Sequence, residues 1–225
     1  MKGVYDLSKF DFLDLGCKTG GSIDYCAKRY RRSRLQHLRG IGVDINPNHV
    51  KKAREAGYAA IEQDILKLNI RHKFKFVSAL DFLEHLPNIV AVEGVVKKMS
   101  TLATDFIFIR HPSFEDIEYL ESLDLKISWS DWRGHTALIK TYDFANMFNK
   151  LGLRQYCFIY KRPIWDSSNK VIIPLSAPVD IHEYTKNLGE KKLIKFKKPV
   201  FSQIDIFVAL RPIEFKEWRW ITRED

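Results

Sequence analysis

From Phe12 to Ile109 the chain switches repeatedly between short apolar runs and stretches of helical periodicity, an alternation that few folds accommodate. Phe12 to Leu15, Ile41 to Ile45, Tyr58 to Ile61, Phe74 to Leu80 and Phe106 to Ile109 read as strands. Helices are predicted over Ile23 to Arg32, behind Ser22 as N-cap, over Pro47 to Ala56 with Gly57 as stop, and over Val90 to Leu102. Strand and helix in strict succession imply a parallel sheet covered on both faces. The crossovers are then right-handed, and a ligand crevice lies beyond the carboxyl ends of the strands.

After Pro112 the pattern loosens. Helices are expected from Phe114 to Leu123 and from Tyr142 to Leu151, the second closed by Gly152, with a tryptophan-rich stretch Trp129 to His135 between them. Leu153 to Tyr160 and Ile204 to Leu210 read as an antiparallel strand pair. The segment of about forty residues between them, Lys161 to Ser202, holds Pro163, Pro174, Pro178 and Pro199 and reads as an insertion. It either caps the crevice, contacts a partner or runs over the surface. The expected fold is thus α/β, Rossmann-like and doubly wound: seven strands, mostly parallel, an antiparallel last strand and residues 161–202 inserted before it. At 225 residues the chain reads as one domain, 1–225.

Composition narrows the setting. No stretch is apolar and long enough for a membrane span, and Met1 to Phe10 lacks the apolar run of a secretory leader, so a cytoplasmic protein is expected. Cys17, Cys26 and Cys157 form no paired pattern, which argues for reduced thiols and against a zinc knuckle; no metal site is expected. The net charge of +9 is concentrated in Lys28 to Arg39 and Lys186 to Lys198. Such clusters suit an anionic partner, and equally a solvated face with none. Nothing in the sequence specifies an oligomeric state.

The chemistry is carried by Asp14-Leu15-Gly16-Cys17-Lys18-Thr19-Gly20-Gly21, wedged between strand and helix. Glycine there lets the backbone approach a ligand, and the helix start beyond offers unpaired N–H groups. Asp44 ends the second strand, where a carboxylate can accept from both ribose hydroxyls. Asp64 follows the third, within reach of an exocyclic adenine amino group.

These residues resemble the class I S-adenosylmethionine-dependent methyltransferases. Asp14 to Gly20 is similar to the family's first motif, Gly42-Val43-Asp44-Ile45 to its ribose-binding strand and Gln63-Asp64-Ile65 to its adenine segment. Leu80-Asp81-Phe82-Leu83-Glu84-His85-Leu86 resembles the stretch after the fourth strand in small-molecule members. The resemblance implies S-adenosylmethionine as cofactor, S-adenosylhomocysteine as product, and a cofactor site of Asp14, Gly16, Cys17, Lys18, Gly20, Asp44, Ile45, Asp64, Ile65, Leu80 and Asp81. Lys18 departs from the motif's middle glycine; it either pairs with the cofactor's carboxylate or obstructs it. His85 is the first choice for a general base, and Glu84, His111, Trp132 and His135 are candidates for substrate contact. The expected acceptor is a small or glycan-like molecule, methylated on oxygen or nitrogen. Asp81-Phe82-Leu83 lacks the prolines and aromatic that accompany methylation of base amino groups, so base N-methylation is disfavoured while methylation elsewhere on RNA is not; nucleic acid is a possible but not the favoured partner.

Two rivals stay open. A nicotinamide-dependent oxidoreductase shares strand, glycine turn and strand-end acid, but its fingerprint wants glycine at position 18. A methyltransferase-like fold without cofactor, serving as a basic RNA or protein adaptor, accommodates Lys18 and the charge excess.

Overall fold

A computed structural model describes residues 5–30 and 38–223; residues 31–37, which hold part of the first basic cluster and the end of the first predicted helix, lie outside it. The elements run β1 (Phe12–Leu15), α1 (Gly21–Arg29), β2 (Gly40–Asp44), α2 (Pro47–Glu55), β3 (Ala59–Glu62) and β4 (Phe74–Leu80). Next come α3 (Ile89–Leu102), β5 (Ala103–Pro112), α4 (Ile117–Glu121), β6 (Leu125–Ile127) and α5 (Thr141–Lys150). The chain closes with β7 (Gln155–Asp166), β8 (Ile172–Pro174), β9 (Lys195–Ala209) and α6 (Phe215–Ile221).

Seven strands form one sheet in the order β3-β2-β1-β4-β5-β9-β7. The first five are parallel, while β9 runs antiparallel to both β5 and β7. One core face joins Leu13, Leu15, Val77 and Ile107 to Val92, Val96, Phe144 and Phe148. The other joins Phe12, Phe76, Phe106 and Phe108 to Tyr30, Val50 and Ile221. Burial on both faces is the reason these strands read as continuous apolar runs instead of alternating ones.

Two expectations need correction. The helix after the glycine turn starts at Gly21 with Gly20 as N-cap at φ 97°, not at Ser22. Ser22 is diverted because its hydroxyl donates to the buried Asp14 carboxylate. The last two strands are also far longer than Leu153 to Tyr160 and Ile204 to Leu210. β7 and β9 stay paired out to Asp166 opposite Lys195, so both ends of the expected insertion belong to the sheet.

What remains between them is tied down. β8 pairs antiparallel with β6 in a second, two-stranded sheet. Leu120, Leu125, Ile127, Ile164, Ile172, Phe196 and Val200 bury each other there as a third core. Strand length was invisible in sequence because β7 beyond Tyr160 is mostly exposed or half-buried, with Ile164 its one buried residue and no run of apolar ones. Among the described residues no helix is long and apolar enough to cross a membrane.

Candidate functional site

β1 is the centre of the sheet's carboxyl rim. Register places Asp14 opposite Ser78 of β4, and the Ser78 hydroxyl donates to Asp14 Oδ1 at 2.7 Å. With Ser22 on the other oxygen, the carboxylate is fully enclosed beneath the glycine turn, and burial pushes its pKa up to about 6. Folding therefore binds the proton more tightly than the unfolded chain, whose pKa is near 3.8. Stability tied to Asp14 is fully present below that value and is lost as pH rises through about 6. An Asp14→Asn variant is expected to gain on the parent as pH climbs from about 4 to about 7, measured as urea midpoints. A midpoint difference independent of pH would contradict this.

Above Asp14 the chain turns at Gly16, φ 70°, where a Cβ would stand 2.3 Å from the Phe82 ring. Lys18 also adopts left-handed backbone, φ 47°. Its amide donates to Asp44 Oδ2 at 2.9 Å, and the Asn46 amide donates to Asp44 Oδ1 at 2.8 Å. Asp44 thus locks the glycine turn of β1 to the loop after β2. Asp64 caps the turn that follows β3, accepting from the Leu66 amide at 2.9 Å.

A cavity of about 420 Å³ opens among these loops. Gly16, Lys18, Asp44, Ile45, Asp64 and Ile65 line it, together with Asn46, His49, Leu66, Phe82, His85, Leu86 and Val95. Ile45 is 67% exposed and Leu66 49%, apolar side chains left bare beside two carboxylates. Such a chamber fits a nucleoside: apolar residues for the faces of a base, and acids for hydroxyls and an amino group. The residues present therefore suit an adenosyl cofactor.

A second cavity, about 290 Å³, adjoins the first through Lys18 and His85, which line both. Its other walls are Asp81, Glu84, Pro112, Trp129, Trp132, His135, Arg162, Ser202 and Gln203. Asp81 is held at φ 48° with its amide donating to the Arg110 carbonyl at 2.9 Å, and burial raises its pKa. Glu84 is 1% exposed, its Oε2 meets no hydrogen-bond partner, and burial lifts its pKa to about 8. Trp132 is anchored by its indole N–H to the Ile181 carbonyl at 2.9 Å. The inserted segment and the tryptophan-rich stretch therefore wall this chamber jointly.

Some expected site residues lie elsewhere. Asp14, Cys17, Gly20 and Leu80 line neither cavity; they support the turn and the core below it. His111 is fully buried against Phe114 and Phe144, and burial pushes its pKa down to about 3, so it is neutral and not a surface contact. Much of the second basic cluster is engaged within the chain: Lys191 donates to the Asn169 and Ile172 carbonyls, and Lys192 and Lys198 pair with Asp124 and Asp116.

Sequence reasoning missed Arg162, Ser202 and Gln203, which reach the site only because β7 and β9 extend past the rim. It also missed the buried pair Arg110–Asp205, opposite one another in register at 2.9 Å and 3.3 Å, with Arg110 donating further to Tyr25 Oη at 2.6 Å. Burial opposes the charge on Arg110, yet Asp205 holds its pKa above the usual value.

Known proteins agree with this architecture. A methyltransferase from Archaeoglobus fulgidus is 16% identical, with 90% of this chain and 89% of that one covered at a TM-score of 0.59. The YcgJ protein of Bacillus subtilis is 15% identical over 90% and 92%, at 0.58. Magnesium protoporphyrin IX methyltransferase from Synechocystis, solved with S-adenosylhomocysteine, is 15% identical over 89% and 74%, at 0.51. These likenesses show the fold. No curated protein sequence matches the chain. The family model of the FtsJ-like methyltransferases matches residues 3–146, which take in the glycine turn, all five parallel strands and the four cavity-lining carboxylates Asp44, Asp64, Asp81 and Glu84. The chain belongs to the FtsJ-like methyltransferase family, and with it to the class I S-adenosylmethionine-dependent methyltransferases.

Proposed function

We propose that the protein transfers the methyl group of S-adenosylmethionine to an oxygen or nitrogen of a small or glycan-like acceptor, and that an anionic acceptor is favoured. The supporting observation is the pair of adjoining cavities, one apolar with carboxylates at its edge, the other walled by two tryptophans together with charged and polar side chains that include Lys18 and Arg162. In this reading Asp44 accepts from the ribose hydroxyls, Asp64 with Ile65 holds the adenine, and Gly16 admits the methionine end. Asp14, Cys17, Gly20 and Leu80 act from beneath by shaping the turn, and Asp81 borders the methionine side.

Bound there, the cofactor supplies a methyl group already activated by its sulfonium. The chain's task is then alignment and exclusion of water. Trp129 and Trp132 wall the acceptor chamber, while Lys18 and Arg162 offset negative charge on its occupant. His85 stands at the junction and is placed to take up an acceptor proton. Reduced cysteines, all three of them unbridged, support a cytoplasmic setting.

The test is incubation with a deuterated methyl donor and a fractionated cell extract. Label in a small or glycan fraction is the expected result, and label confined to RNA or protein would overturn the acceptor class. Lys18→Gly gives a second check. Relief of the left-handed lysine should raise stability by roughly 0.5–1 kcal/mol after the entropy cost of glycine. The same variant should bind an anionic acceptor more weakly, seen as a higher KM for that acceptor.

A further inference from the structure

We propose that Glu84, His85 and His135 form a binding site for a divalent transition-metal ion of the zinc type, opening on the acceptor cavity. One donor atom of each lies within 4.8 Å of the others. Donors on a tetrahedral ion at zinc–ligand distances of about 2.1 Å sit about 3.4 Å apart, so side-chain closure by roughly 1–1.5 Å completes the set.

Two loops far apart in sequence are stitched together to make this cluster. Glu84 and His85 occupy the short turn Leu83–His85 after β4, and His135 follows the tight turn Trp132 to Gly134. The Ala137 amide donates to the Glu84 carbonyl at 3.1 Å, and the Thr136 hydroxyl donates to the Leu86 carbonyl at 2.6 Å. His85 Nδ1 lies 2.8 Å from the Gly134 carbonyl and His135 Nδ1 2.9 Å from the Trp129 carbonyl. A carbonyl accepts only from N–H, so each ring carries a proton on Nδ1, and in the neutral ring this leaves Nε2 as the donor atom available to an ion. That is the arrangement by which protein imidazoles are oriented for a metal ion.

Glu84 supplies the independent observation. Its Oε2 is buried without a hydrogen-bond partner, and the nearest cationic candidate, His85 Nε2, is 3.8 Å from Oε1. A buried carboxyl oxygen without a partner is costly, and a cation between it and two imidazoles removes the cost. Two nitrogens and one carboxylate leave at least one coordination position open, and among the described residues it faces the chamber of Lys18 and Arg162. The ion thus selects an acceptor that offers oxygen donors. With the ion bound, His85 serves as ligand and not as base. The use of the ion rests on the proposed methyl transfer; its existence does not.

The test uses chelator-treated full-length protein titrated with Zn²⁺, Mn²⁺ and Mg²⁺ in calorimetry, with metal content measured after dialysis. One Zn²⁺ per chain is expected, and Glu84→Gln and His135→Asn should each weaken it by about 100-fold or more. S-adenosylhomocysteine affinity should change by no more than about twofold in those variants, since neither residue lines the larger cavity. Co²⁺ added to the parent protein should give visible absorption typical of nitrogen and oxygen ligation, which requires no folded variant. Zn²⁺ uptake that is substoichiometric, or equal in parent and variants, would overturn the site. Zn²⁺ binding by a chain that fails to bind S-adenosylhomocysteine would keep the site and overturn the cofactor reading.

Discussion

Asp44→Ala is expected to remove measurable binding of S-adenosylhomocysteine while leaving the sheet intact. Two effects add. Hydrogen bonds to a charged acceptor contribute about 1.5–3 kcal/mol each, so losing the two proposed ribose contacts weakens binding more than about 100-fold. The same carboxylate also accepts from the amides of Lys18 and Asn46, so alanine frees the turn that shapes the pocket. Asp44→Asn separates the two, because one amide oxygen still satisfies one backbone donor. It should retain most of the parent's thermal stability and still bind at least about tenfold more weakly. Unchanged affinity in calorimetry for the alanine variant would remove Asp44 from the ribose role and with it the main support for the cofactor pose.

The largest stability effect is expected at Asp205→Ala. Asp205 is fully buried and holds Arg110 by two bonds across the β5–β9 ladder. Removing one partner of such a pair leaves an uncompensated charge and costs about 3–5 kcal/mol. For a chain of this size that corresponds to a fall in Tm of roughly 6–20 °C. Replacing both residues by apolar ones, Arg110→Met with Asp205→Leu, should recover most of the loss, since desolvation of the pair offsets much of its attraction. A double variant no more stable than Asp205→Ala would show that the pair is net stabilising. Tyr25 also receives a bond from Arg110, so part of any residual loss belongs to that contact.

The parallel half of the fold was legible because its signals are local. A run such as Phe74 to Leu80 is the same in sequence and structure, since burial on both faces needs only apolar residues in a row. Asn46, Pro47 and Gly57 mark the limits of α2 by capping chemistry that operates within a few residues. The cavity lined by Gly16, Asp44 and Asp64 was legible for a related reason. Gly16, Asp44 and Asp64 stand at the ends of adjacent strands, and strand order follows from right-handed crossovers.

What the sequence concealed depends on neighbours distant along the chain. Ser22 has every local feature of an N-cap, yet Asp14 takes its hydroxyl because the sheet places the two side chains together. Arg162 and Gln203 enter the second cavity only because β7 and β9 remain paired past the rim.

Periodicity and turn chemistry by themselves determined the strand–helix succession, the glycine turn and the acids at the rim, because each is decided within a few residues. Tertiary structure alone decided that Glu84, His85 and His135 share one chamber, that Asp14 lies beneath the pocket and that Arg110 meets Asp205. Side-chain proximity across tens of residues is set by which strands become neighbours and where their loops dock, and no local pattern encodes that.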